Sequence, residues 1–118
     1  MTNSQIADVF QQMADLLEFQ GANPFRVRAY RNGARTIRDL AEPIVDRVNK
    51  QNVPLTEIQG IGKDLAEKCC ELIQTGSLQQ LEKLLTEIPA TVLDILRIPG
   101  LGPKKAAAIY QELGIVTL

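Results

Sequence analysis

The chain has 118 residues, 13 Lys and Arg against 14 Asp and Glu, and a net charge of −1, so bulk charge gives it no affinity for a polyanion. Histidine is absent and the only two cysteines, Cys69 and Cys70, are adjacent, a pattern that builds neither a disulfide framework nor a zinc site and fits a reducing, cytoplasmic setting. No apolar run approaches the roughly 20 residues of a membrane span, and no secretory leader opens the chain, so no membrane partner is expected.

In chain order, Asn3 or Ser4 caps a first helix whose apolar residues Ile6, Val9, Phe10, Met13, Leu16 and Leu17 recur at threes and fours until Gly21. Asn23 and Pro24 open a second helix to about Leu40, with Phe25, Tyr30, Gly33, Ala34 and Ile37 on its inner side. Glu42 and Pro43 begin a shorter helix carrying Ile44, Val45 and Val48, which Asn52-Val53-Pro54 breaks. A fourth helix runs from Gly62 to about Thr75. Gly76 ends it, and Ser77 caps a fifth helix carrying Leu78, Leu81, Leu84 and Leu85 to about Glu87. A short helix follows Pro89 and ends near Arg97, and the last runs from Pro103 to about Leu113, stopped by Gly114. No strand of period two appears, so the fold class is all-α.

Two tight turns interrupt this series. Ile58-Gln59-Gly60-Ile61-Gly62-Lys63 recurs forty positions later as Ile98-Pro99-Gly100-Leu101-Gly102-Pro103, with Ala66 and Ala106 at matching offsets. Two helices joined by apolar-x-Gly-apolar-Gly form a helix-hairpin-helix. The unpaired amides at the start of its second helix favour a phosphate, and glycine lets the phosphate come close. Lys63 follows the first turn, and Lys104 and Lys105 the second, which points to sequence-independent contact with a nucleic-acid backbone. The same turn also serves as a packing corner with solvated lysines.

Arg26, Arg28, Arg31, Arg35 and Arg38 fall within thirteen residues free of Asp and Glu. On a helix the last four share an arc of about 80°. That stripe reads either as a phosphate-facing surface or as a solvated helix face. Tyr30, across the helix, belongs with the core rather than with a base-stacking platform. Asp64, Glu67, Glu71 and Glu82 read as exposed ion-pair partners rather than as a metal site.

The segments Asn23-Pro24-Phe25-Arg26-Val27-Arg28-Ala29-Tyr30-Arg31, Gly60-Ile61-Gly62-Lys63-Asp64-Leu65-Ala66-Glu67-Lys68 and Ile98-Pro99-Gly100-Leu101-Gly102-Pro103-Lys104-Lys105-Ala106 resemble, in this order, the N-terminal region of bacterial family X DNA polymerases, relatives of DNA polymerase beta. The resemblance implies a lyase-type helical domain over residues 1–83 and the start of a fingers region over 84–118. It implies binding to gapped or nicked DNA at a 5′-phosphate end, in base excision repair, and nothing in the sequence demands more than a monomer. The polymerase palm, with its Mg2+ and dNTP, would lie in cis beyond Leu118, so this piece needs no cofactor and does not polymerise alone. DNA contacts are expected from Arg31 and Arg35 on the stripe and from Gly60, Gly62, Lys63, Gly100, Gly102, Lys104 and Lys105 at the hairpins, and the resemblance adds Arg26 and Tyr30 in or beside the phosphate pocket. It also implies K+ or Na+ held by the backbone carbonyls of Thr56, Ile58 and Ile61 and of Leu96, Ile98 and Leu101.

Lys68 occupies the position of the lysine that attacks the aldehyde of a 5′-deoxyribose phosphate, with Glu67 as a nearby carboxylate. Asp64 and Gln80 stand where the animal enzyme has lysines, which makes this pocket less basic. Asp64 precedes Lys68 by four residues and Glu71 follows by three, spacings that pair the amine with acids. A non-catalytic DNA-binding module and a helical protein-interaction domain are the competing readings.

Overall fold

The computed structural model describes residues 1–48 and 55–113, with side chains to Tyr110. The break at Asn52-Val53-Pro54 and the stop at Gly114 lie outside the described residues. The described elements are all helical: α1 (Asn3–Phe19), α2 (Pro24–Asp39), α3 (Ile44–Asp46), a 3-10 turn at Leu55–Glu57, α4 (Lys63–Thr75), α5 (Gln79–Glu87), α6 (Ala90–Leu96) and α7 (Pro103–Leu113). None of the described helices is long and apolar enough to cross a membrane.

Helix α1 starts one residue earlier than its sequence suggests. Thr2 is the cap: its hydroxyl accepts from the Gln5 amide at 3.1 Å while the Gln5 side chain accepts from the Thr2 amide at 2.8 Å, closing a capping box. Asn3 instead donates to the Glu42 carbonyl at 2.9 Å and accepts from the Ile44 amide at 2.8 Å, tying α1 to the start of α3. At the other end Gly21, at φ 75°, allows its own amide to reach the Glu18 carbonyl and that of Ala22 to reach the Leu17 carbonyl, each at 3.0 Å. This is the Schellman arrangement, and it turns the chain directly into α2.

Asn23 caps α2 through the Phe25 amide at 2.8 Å, with Pro24 in the first turn. Val27, Tyr30, Gly33, Ala34 and Ile37 are buried, but Phe25 is not: 75% of it is exposed. Phe25 lies in the first turn two residues before Val27, about 200° away around the helix, so Val27 takes the inner position expected of it. The core runs continuously from Ile6 on α1 to Val92 on α6, and includes the hairpin residues Ile58 and Ile61.

Helix α5 is capped differently from the expectation for Ser77. Leu78 holds the cap position with no side-chain bond of its own, and the Glu71 carboxylate, reaching across from α4, accepts from the Gln79 amide at 2.7 Å. A carboxylate at a helix N-terminus also meets the positive end of the macrodipole. Helix α7 closes the fold against α1, where Tyr110 meets Phe19 edge-on, ring centroids 5.8 Å apart, and Ala106 is fully buried.

Candidate nucleic-acid interface

The sequence repeat is a structural repeat. In the first hairpin the Ile61 amide donates to the Ile58 carbonyl at 3.0 Å, and in the second the Leu101 amide donates to the Ile98 carbonyl at 3.1 Å. The first helical bonds match as well, Ala66 to Gly62 at 2.9 Å and Ala106 to Gly102 at 3.0 Å. Gly60 and Gly100 hold left-handed φ values of 96° and 82°, which explains the first glycine of each copy.

The second glycines have no such explanation. Gly62 caps α4 at φ −83°, an angle open to any residue, and among the described residues a Cβ on either Gly62 or Gly102 would meet nothing within 4 Å. No side chain caps the α4 N-terminus, where Ser or Asp at the Gly62 position would satisfy an amide. Both positions are exposed, as are Lys63, Lys104 and Lys105. Pro103 contributes no amide at the start of α7, so there the donors begin at Lys104.

The two hairpins differ in their support. Helix α2 backs the first: Gly33 admits Leu65, whose Cδ1 would lie 2.6 Å from a Cβ at that position, and the Thr36 hydroxyl oxygen would lie 2.7 Å from a Cβ on Gly60. The second hairpin projects further, and Ile98 is 52% exposed where its counterpart Ile58 is buried. The carbonyls of Ile58 and Ile98 each accept the turn bond just described, leaving one lone pair, and hard backbone oxygens of this kind suit an alkali cation. Thr56, Ile61, Leu96 and Leu101 flank these turns in both copies.

The arginine stripe divides. Arg31 is gripped by Glu18 at 2.6 Å and Asp15 at 3.0 Å, and Arg38 by Asp8 at 2.6 Å, so this pair braces α2 against α1. Burial opposes the Arg31 charge, but the bonds and fields of Glu18 and Asp15 outweigh it and hold the guanidinium above its ordinary pKa. Among the described residues Arg26, Arg28 and Arg35 are exposed and make no ion pair, and Arg28 lies over the Phe25 ring at 5.7 Å. Phe25 is therefore an exposed aromatic among cations. The sequence signal for it was its place in the first turn, ahead of the apolar repeat.

Lys68 and Asp64 form a corner on α4. The Lys68 Nζ donates to the Asp64 carboxylate at 3.1 Å and the lysine side chain is 15% exposed, while Glu71, the other expected partner, is taken by the Gln79 amide. Tyr30, on α2 within the field of Asp64, is 1% exposed, its ring edge-on to Phe10 at 5.7 Å and its hydroxyl buried without a hydrogen-bond partner among the described residues. This closes Tyr30 to direct phosphate contact in the present arrangement. Burial, reinforced by the Asp64 carboxylate, pushes the Tyr30 pKa up to about 12; Arg26 is near enough to offset part of the rise without making a well-formed bond. Glu67 points elsewhere, lining a groove with Lys63 and Cys70.

Two family models match, one described as a helix-hairpin-helix domain over residues 1–78 and one as a SAM-like helix-hairpin-helix tandem over 54–115. The DNA polymerase/3′-5′ exonuclease PolX of Bacillus subtilis is 33% identical over 98% of this chain, and DNA polymerase lambda of Rattus norvegicus is 24% identical over 93%. The chain spans only 19% and 18% of those two relatives. The tandem model covers both turns whose hydrogen bonds superimpose, and the other covers α1 to α4, which carry the first turn and its support. The chain belongs to the helix-hairpin-helix domain family, and in sequence it is similar to the helix-hairpin-helix region of family X DNA polymerases.

Proposed function

We propose that this chain grips the sugar-phosphate backbone of gapped or nicked DNA through its two hairpins, as the N-terminal part of a family X repair polymerase whose palm follows in cis. The observation that carries the reading is the pair of second glycines. Nothing in the fold asks for glycine at Gly62 or Gly102, yet both sit at uncrowded helix starts beside exposed lysines. What requires a missing side chain there is an external group that comes up to the backbone, and amides with a positive macrodipole select an anion. K+ or Na+ on the turn carbonyls would draw the phosphate closer still.

The test is Gly102→Val alone and with Gly62→Val, read by fluorescence anisotropy on a gapped duplex. A β-branched side chain at these open positions leaves the fold intact but stands between amide and phosphate. Affinity is expected to fall with circular dichroism unchanged; unaltered affinity in folded variants defeats the hairpin contact.

The Lys68 corner supports a second activity, cleavage of a 5′-deoxyribose phosphate. The amine would add to the C1′ aldehyde and lose water to form an imine, after which the C2′ proton leaves and the phosphate at C3′ is expelled. The largely buried amine favours this role, and its contact with Asp64 opposes it, because the amine must be released and deprotonated to attack. Borohydride trapping on such DNA, lost in Lys68→Ala while binding persists, would establish the nucleophile. Binding without any trapped adduct leaves a non-catalytic module.

A further inference from the structure

A groove of about 470 Å³ lies between the α1–α2 turn and the start of α7. Its walls bring together parts of the chain far apart in sequence: Arg28 and Arg31 from α2, Lys104 from the second hairpin, and Glu18 from α1. Gly21, Ala22, Pro24 and Val27 complete its lining. Glu18 is committed to Arg31 at 2.6 Å, whereas Arg28 and Lys104 have no acidic partner among the described residues. Arg28 is held at the groove by the face of Phe25, 5.7 Å away, a contact that places the guanidinium without neutralising it. Two cations without an acidic partner on one groove, part of whose lining is apolar, concentrate positive potential there.

We infer that this groove is a third phosphate site, in which Arg28 and Lys104 clamp one phosphodiester of the strand that leaves the second hairpin. The inference rests on the DNA-binding reading and extends it, since it joins the second hairpin to the basic face of α2 into one backbone track. Lys104 has a double part there, its amide in the helix start and its ammonium across the groove. Arg31 is the fixed member of the wall, and its two acids keep it from competing for the phosphate.

The experiment is DNA affinity against salt for the whole chain and for Arg28→Ala, Lys104→Ala and the double variant, with Gly102→Val alongside. A phosphate contact contributes a slope of about −0.9 on duplex DNA. For a shared phosphate the double variant flattens the slope by about 0.9 in all, and its loss of affinity is smaller than the product of the single losses. A flattening near 1.8, or losses that multiply, means two separate contacts and overturns the clamp. An unchanged slope in the double variant, with Gly102→Val still weakening binding, overturns the groove site and leaves the hairpin reading standing. Absence of salt-dependent binding by the parent chain defeats both. Titration with inorganic phosphate, followed by amide chemical shifts, is the remaining arm. Saturable shifts around Arg28 and Lys104, with DNA affinity unchanged in the double variant, assign the groove to a free anion and overturn the backbone contact.

Discussion

Gly60 and Gly100 occupy the same place in two copies of one turn, and alanine at each separates what the turn requires from what its surroundings require. Both have left-handed φ, 96° and 82°, where alanine costs about 1–2 kcal/mol. The lower entropy of the unfolded chain offsets about 0.4–1 kcal/mol of that. Among the described residues Gly100→Ala meets nothing within 4 Å, so its net cost is about 0–1.6 kcal/mol. Gly60→Ala puts a methyl 2.7 Å from the Thr36 hydroxyl oxygen, on a β-branched side chain whose rotamers are restricted in a helix. Overpacking of this kind adds about 1–3 kcal/mol. Thr36→Ala removes that oxygen and leaves the Thr36 Cβ as the nearest atom, at 3.6 Å, which is ordinary contact. Urea denaturation followed by circular dichroism should therefore rank Gly60→Ala below Gly100→Ala by about 1–3 kcal/mol, and Thr36→Ala should recover most of the gap in a double-mutant cycle. Equal losses at the two glycines, or a cycle with no coupling, would refute the claim that α2 supports the first hairpin.

Three further outcomes follow. Phe25→Ala is expected to leave stability within about 0.5 kcal/mol, because the ring is 75% exposed. It should nevertheless weaken binding to gapped DNA more than to intact duplex, if the exposed ring stacks on an unpaired base; equal effects on both would count against stacking. Asp64→Asn frees the Lys68 amine from its 3.1 Å contact and should speed borohydride trapping, whereas Glu67→Gln, on a different groove, should change it little. A slower reaction in Asp64→Asn would mean that the carboxylate assists rather than restrains. Burial pushes Tyr30 from 10.0 to about 12, and burial next to Cys70 pushes Cys69 from 9.0 to about 12. The folded state thus holds both protons more tightly than the unfolded chain. Stability from this source is complete below pH 9.0 and falls as pH rises toward about 12, and Cys69→Ala should flatten the lower part of that fall. A urea midpoint constant across this range would rule the effect out.

Helix order, the Gly21 and Gly76 stops and the two hairpins were legible because each rests on local chemistry: periodicity, a left-handed residue, a cap. The departures at the two caps and along the arginine stripe share one cause, namely competition from groups on other helices. Asn3 is a good cap, but it serves α3 instead, and Thr2 with Gln5 closes the box. Ser77 is a good cap too, yet Glu71 reaches the α5 terminus from the preceding helix. The arginine stripe is regular in sequence, and only the packing of α1 decides that Arg31 and Arg38 meet Asp15, Glu18 and Asp8 while Arg28 and Arg35 stay free of acids. Phe25 differs in being a local matter: its hydrophobicity suggests an inward place, but the helix phase set by Val27 and Tyr30 turns it out.

The two hairpins also show which constraints a repeat records. Gly60 and Gly100, Ile58 and Ile98, Gly62 and Gly102, and Ala66 and Ala106 match between the copies, and so do the turn bonds and the first helical bonds. The surroundings do not match: one turn lies against Thr36, with Ile58 buried and Leu65 of its helix seated on Gly33, while the other meets no such neighbour among the described residues and leaves Ile98 half exposed. If packing had selected the motif, the residues would differ where the neighbours differ. The second glycine is the sharpest case, because it is retained in both copies although neither environment touches it. What the copies have in common is the face they turn outward, a helix start with bare amides beside a lysine. The repeated residues therefore answer to whatever meets that face, and a group that needs the same approach twice, at regular intervals and without reading side chains, has the character of a sugar-phosphate backbone.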